Sequence, residues 1–181
     1  MKTNKIQLRD ICYIAIFTAI IAVCAQLSIP MPYGVPMTLQ TFAIPLAGVI
    51  LGTKKGTIAT LVYILLGAVG APVFSGFTGG LGVVFGRTGG FILTFPLMSL
   101  TAGIGEKKKT ILLLLWLVIG AVLNFIGGML MFSIIAATPL LVSFGYVVLP
   151  FLPTAVIKIV LVIAMSKPIK AALKKSGIQM T

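Results

Sequence analysis

The chain has 181 residues, of which 59% are hydrophobic and only 9% charged, and its formal net charge is +12. So little polar surface excludes a soluble globular domain of this length. The class that remains is a polytopic membrane protein.

The N-terminal MKTNKIQLRD is basic and leads into a first apolar span over residues 11–29. No small-residue cleavage site closes this run, so it is expected to remain as a span rather than be removed as a leader. Cys12 and Cys24 both lie in it. A helix holds two residues at that spacing roughly 18 Å apart, too far for a disulfide. Ala15-x-x-x-Ala19, continued by Ala22, makes a small-residue face on which another helix can approach closely. The proline-rich loop PMPYGVPM follows, and then a second span over 38–51. GTKKGT separates it from a third span over 58–70. A glycine-rich segment, GAPVFSGFTGGLGVVFGRTGG, runs from Gly70 to Gly90. It cannot lie exposed to lipid, because its backbone groups would be unpaired, so it must sit at a surface or line a cavity. A fourth span covers 91–104 and ends at GEKKK, a fifth covers 111–137, and a sixth covers 146–165. The second, third and fourth are short against the ~20 helical residues a bilayer needs. Either their helices reach into the flanking loops or the protein thins its surroundings.

With the N-terminus in the cytoplasm, the inside segments hold Lys2, Lys5 and Arg9, then Lys54 and Lys55, then Lys107, Lys108 and Lys109, then Lys167, Lys170, Lys174 and Lys175. Of the 14 basic residues only Arg87 and Lys158 are left for the outer half. Six spans with both termini cytoplasmic satisfy the positive-inside rule at every crossing. The same scatter of short basic clusters argues against a nucleic-acid partner and for contact with membrane lipid.

Lys158 lies inside VLPFLPTAVIKIVLVIAM, one to two turns past Pro153. A lysine in a span faces the bundle interior or a watery cavity, or else bends its head to the interface. The chain has only two acids, Asp10 and Glu106, and both fall on the inner side. The ammonium must therefore be met by a ligand anion or by backbone carbonyls. Arg87, in GRTGG, could fork onto a carboxylate or stay solvated in its loop. Gly79, Gly80 and the glycines after them permit close backbone approach, for an anion at a helix start or for tight helix packing. No GxxxxGK[ST] is present, so this is not a nucleotide loop. Thr38, Gln40, Thr41, Tyr63, Asn124 and Thr154 are polar residues inside or at the ends of spans, where unpaired polar groups are costly. With Lys158 they outline a cavity for a small, polar-headed, partly apolar molecule. Without a histidine or a pair of cysteines at ligand spacing, no metal site is expected. No paired carboxylates or nucleophile–base pair suggest an enzyme, so uphill transport would draw its energy from another chain.

The strings PMTLQTFAIPLAGVILGTKKGTIATLVYILLGAVGAPVF, GGLGVVFGRTGGF and LPFLPTAVIK resemble the BioY family, the biotin-specific S components of energy-coupling factor (ECF) vitamin transporters. The resemblance covers nearly the whole chain. It implies a compact all-α bundle of six transmembrane helices, a single substrate-binding domain over residues 1–181, in the plasma membrane of a prokaryote. It implies capture of biotin from outside, with no cofactor, and delivery inward with a transmembrane coupling subunit and two cytosolic ATPases. On this resemblance Ala15, Ala19 and Ala22 form the docking face. The loop 30–36, with Tyr33 at its centre, forms a flap over the vitamin, and Thr78 takes the place of a polar ligand contact. The substrate-binding set becomes Lys158, Arg87, Thr78, Gln40, Thr38, Gly79, Gly80, Tyr33, Asn124 and Thr154. Two positions depart from the family pattern. The last-helix motif Pro-x-Asp-x-x-Lys reads Pro153-Thr154-Ala155-Val156-Ile157-Lys158 here, without its acid, and Arg87 stands where proline often precedes TGG. The alternatives are an S component for another small carboxylate vitamin and a structural membrane partner that binds no vitamin. Ligand-dependent stability separates these readings.

Overall fold

The computed structural model describes residues 7–175. Lys2 and Lys5, counted above as inside charges, lie outside the described residues. The architecture is helical: α1 (Leu8–Gln26), α2 (Gln40–Ala68), a short α3 (Leu81–Val84), α4 (Gly89–Gly105), α5 (Thr110–Ile135), α6 (Leu140–Val147) and α7 (Leu152–Lys175). A two-residue hairpin, β1 (Ser28–Ile29) against β2 (Met37–Thr38), is the strand pairing between α1 and α2. Among the described residues, four stretches are long and apolar enough to cross a membrane: Leu8–Gln26, Gln40–Ala68, Thr110–Ile135 and Leu140–Lys175. Gly89–Gly105 is apolar but shorter, about 25 Å of helix.

The expected second and third spans both fall within α2, whose backbone is broken at Gly52, where φ is 78° and ψ 170°. Those angles suit glycine and disfavour any residue with a Cβ. Gln40 Nε2 donates to the Tyr63 hydroxyl, although a straight helix would hold those residues about 35 Å apart. A Cβ built on Gly56 would fall 2.7 Å from the Gly48 Cα. The two arms of α2 therefore turn back on each other at GTKKGT. The last span differs from expectation. Pro139 opens α6 and a 3-10 turn (Leu149–Phe151) carrying Pro150 separates it from α7, because a proline lacks the N–H that would continue the preceding helix.

α4 is the packing centre, wedged between the first arm of α2 and α5 through small residues. A Cβ on Gly48 would meet the Ser99 carbonyl oxygen at 2.2 Å, and one on Gly90 would meet the Gly127 carbonyl oxygen at 2.1 Å. Such backbone-to-backbone approach is how apolar helices gain packing without a hydrophobic drive from water. α1 joins the second arm of α2 through Thr18, whose hydroxyl donates to the Ala59 carbonyl at 3.0 Å. The fully buried Ile21, Ile44, Ile50 and Val162 fill the space between.

Both acids act as ties at one end of this bundle. Lys55 Nζ is 2.9 Å from Asp10 Oδ1, and Lys170 Nζ is 2.7 Å from Glu106 Oε1. A Cβ on Gly103 would touch the Thr53 Cα at 2.4 Å. The start of α1, the Gly52 turn, the end of α4 and the last turns of α7 thus share one end. The strap 30–38, the glycine-rich segment and the start of α7 share the other.

Candidate functional site

A cavity of about 320 Å³ opens at that second end, within the range of roughly 300–1,000 Å³ that small-molecule sites occupy. Its deeper wall is aromatic and aliphatic, with Phe91, Phe95, Met98, Leu117 and Phe125 from α4 and α5. Its lining also takes in Gly34, Val35 and Pro36 of the strap, Phe74 and Ser75 of the glycine-rich segment, and Phe151. The glycine-rich segment is held there by specific bonds. Gln26 donates from Nε2 to the Phe74 carbonyl at 3.1 Å and accepts the Phe77 N–H at 2.9 Å on Oε1. Phe74 and Thr78 pair across a tight turn.

Lys158 enters this cavity from α7 and is 8% exposed. Its ammonium donates to the Thr38 carbonyl at 2.7 Å and to the Thr41 hydroxyl at 2.9 Å. Both partners are neutral. An ammonium has three N–H donors, so one remains for the cavity. Asp10 and Glu106 are the only acids of the chain and both are engaged with lysines elsewhere. The positive charge of Lys158 is therefore hydrogen-bonded but not neutralised.

The neighbouring polar side chains form two fixed groups. In the first, the Thr38 hydroxyl donates to Gln40 Oε1 at 2.8 Å, Gln40 Nε2 donates to the Tyr63 hydroxyl, and that hydroxyl donates to the Val73 carbonyl at 3.1 Å. In the second, Asn124 Nδ2 donates to the Phe91 carbonyl and to the Thr94 hydroxyl, both at 2.8 Å. The Thr154 hydroxyl donates to Phe151 and the Thr78 hydroxyl to Ser75, each to a carbonyl of its own turn.

Of the residues singled out from sequence, Lys158, Gln40, Thr38, Thr78, Asn124 and Thr154 line the cavity together. Arg87, Tyr33, Gly79 and Gly80 do not line it. Arg87 instead reaches the strap, with Nη1 donating to the Tyr33 carbonyl at 3.5 Å. The Tyr33 ring stacks on Tyr146 of α6 at 3.7 Å and 10°. A Cβ on Gly79 would meet the Ala71 carbonyl oxygen at 2.4 Å, and Gly80 has φ +97°. Ala15 and Ala19 are exposed on the outer face of α1, while Ala22 is half-buried against the core. Sequence reasoning passed over the aromatic wall, Ser75, Thr88 and Tyr146. Their signal was too ordinary, since aromatics and hydroxyls recur throughout apolar spans.

The BioY family model matches residues 1–175. A biotin transporter of Lactococcus lactis subsp. cremoris is 36% identical over 159 residues, covering 86% of this chain and 87% of that protein. A probable biotin transporter of Pyrococcus horikoshii is 44% identical over 100 residues, covering 55% of this chain and 61% of that protein. One of Thermotoga maritima is 45% identical over 102 residues, covering 56% and 60% respectively. The chain thus matches about three fifths of the length of these last two relatives and most of the first. A crystal structure described as the S-component for biotin from an ECF-type ABC transporter superposes with a TM-score of 0.83 at 27% identity, covering 94% of this chain and 95% of that one.

Proposed function

The chain belongs to the BioY family of multi-pass membrane proteins, and from that premise we propose that it is the biotin-capturing S component of an ECF-type vitamin uptake transporter. It is a binding subunit and not an enzyme. The observation that carries the reading is the buried, un-neutralised ammonium of Lys158 in a cavity that is otherwise apolar-walled. Biotin is a monocarboxylate with a polar ureido ring and an apolar bicyclic body and tail. Lys158 takes an oxygen of biotin, from its carboxylate or its ureido group, while the aromatic wall receives the apolar parts. Thr38, Gln40, Thr78, Asn124 and Thr154 complete the polar contacts. Arg87 and Tyr33 hold the strap over the vitamin, and Gly79 and Gly80 shape the loop that carries Thr78. A cation buried with neutral partners is unfavourable by itself, and an arriving anion or strong acceptor relieves it.

In this reading the single domain crosses the plasma membrane of a prokaryote six times with both termini cytoplasmic. The second and third crossings are the two arms of α2. The clustering of Lys55, Glu106 and Lys170 with the start of α1 at one end supports that orientation, because the positive-inside rule puts basic ends in the cytoplasm. Ala15 and Ala19 dock on a transmembrane coupling subunit driven by two cytosolic ATPases, with Ala22 turned inward beneath them. Their exposure on α1 fits a close helix contact.

The test is thermal unfolding of the purified protein in detergent, with biotin and with lipoate, thiamine and riboflavin as controls. A ligand that binds the native state raises the melting temperature with its excess over Kd. A rise with biotin alone is expected. A rise with another vitamin, or with none, would overturn the reading.

A further inference from the structure

Once Lys158, Thr38 and Gln40 have made their internal bonds, the acceptors left around the cavity are mainly hydroxyl oxygens and one amide carbonyl. The Thr38 carbonyl accepts from Lys158, and Gln40 Oε1 accepts from the Thr38 hydroxyl. The Thr78 and Thr154 hydroxyls give their protons to carbonyls of their own turns and keep an oxygen that can accept, but either proton can be redirected. No carboxylate lines the cavity among the described residues. Asn124 is different. It is 2% exposed, and both of its amide protons are committed, to the Phe91 carbonyl and to the Thr94 hydroxyl. A backbone carbonyl only accepts, so the group facing Phe91 must be the NH2 and the orientation of the amide is fixed. Its carbonyl oxygen Oδ1 receives no hydrogen bond from the described residues, and Asn124 lines the cavity. Ser75 and Thr88 also line the cavity, but a hydroxyl rotates to donate or to accept and so does not choose between ligand groups.

We infer that Asn124 is a specificity-determining residue, whose fixed Oδ1 accepts one N–H of the ureido ring of biotin and requires a donor at that position. The inference rests on the biotin reading above. A cyclic urea offers two N–H groups, one on each side of its carbonyl. One meets an acceptor that cannot turn. The other meets water or a hydroxyl that can. The site therefore distinguishes the two nitrogens, although the free ligand presents both as donors.

The test uses two analogues of biotin in which one or the other ureido N–H is replaced by a ring oxygen. Each is a cyclic carbamate of nearly unchanged shape. Displacement of labelled biotin from the wild-type protein in detergent is measured for both. One isomer is expected to bind about ten- to a hundredfold more weakly than biotin, because an oxygen lone pair then faces Oδ1 and the amide is left unpaired. The other is expected to stay within about threefold, since a hydroxyl or water adjusts. In Asn124→Ala the two isomers are expected to become equivalent. Equal binding of the isomers by the wild-type protein overturns the inference and needs no variant to fold. A difference that persists unchanged in folded Asn124→Ala also overturns it. Failure of biotin itself to bind the wild-type protein overturns the biotin reading instead, and the control with unmodified biotin distinguishes that outcome.

Discussion

Replacing Lys158 by methionine separates binding from stability more sharply than any other single change. The side chain stays unbranched, is one atom shorter, and loses its charge. In the free protein, two bonds disappear, at 2.7 Å to the Thr38 carbonyl and at 2.9 Å to the Thr41 hydroxyl. Hydrogen bonds to a charged group are worth about 1.5–3 kcal/mol each. Against that stands the desolvation of an ammonium with no counter-charge, an effective penalty of several kcal/mol even after relaxation. The two terms oppose each other, so the stability of the free protein should change by no more than about 1–2 kcal/mol in either direction. Binding has no such compensation. A charge-assisted hydrogen bond to biotin is lost outright, at about 2–4 kcal/mol, which is roughly 30- to 1,000-fold in Kd. The assay is unfolding in detergent without ligand, paired with displacement of labelled biotin. A Lys158→Met protein that unfolds near the wild-type temperature and binds biotin within threefold of wild type would refute the role assigned to this residue. Lys158→Arg keeps the charge and should retain part of the affinity.

Three further changes probe the scaffold and its surfaces. Tyr146→Ala removes the stack that pins Tyr33 and the strap, worth about 0.5–1.5 kcal/mol. Biotin should then dissociate about two- to tenfold faster, as measured by chase with unlabelled ligand, while Tyr146→Phe should release at the wild-type rate. Gly48→Val places a side chain 2.2 Å from the Ser99 carbonyl oxygen. The α2–α4 contact cannot absorb it, and folded yield on size-exclusion chromatography should collapse. Ala19→Leu enlarges an exposed small position on α1. It should leave biotin binding in detergent unchanged and reduce uptake into cells that supply the coupling subunit and ATPases. Normal uptake would remove Ala19 from the docking face.

The membrane class and the succession of apolar runs were legible in the sequence because they depend on composition and local order. The turn between the arms of α2 was legible in GTKKGT, where glycines and lysines interrupt apolar residues, and Gly52 supplies the backbone angles that reverse the chain. α6 was not legible. Its eight residues are as apolar as their neighbours, and proline alone separates them from α7. Arg87 shows a different gap. Its charge and glycine context suggested a ligand contact or a solvated loop, and the structure adds a partner neither reading named, the Tyr33 carbonyl across 54 residues of chain. Neither composition nor spacing encodes where a long side chain in a loop will point.

By itself the sequence limited the possible acidic side-chain partners of Lys158 to two, Asp10 and Glu106, since that inventory requires no coordinates. Only the tertiary structure decided what meets that lysine. Its partners, Thr38 and Thr41, lie 120 and 117 residues away, and contacts at that separation follow from how helices pack rather than from any local pattern. The same holds for Asn124. Its type marks it as polar in an apolar span, but which of its two amide ends is already engaged follows from the Phe91 carbonyl on α4. Residue type sets what a group can donate or accept. Packing sets which of those capacities is already used and which is left for a ligand.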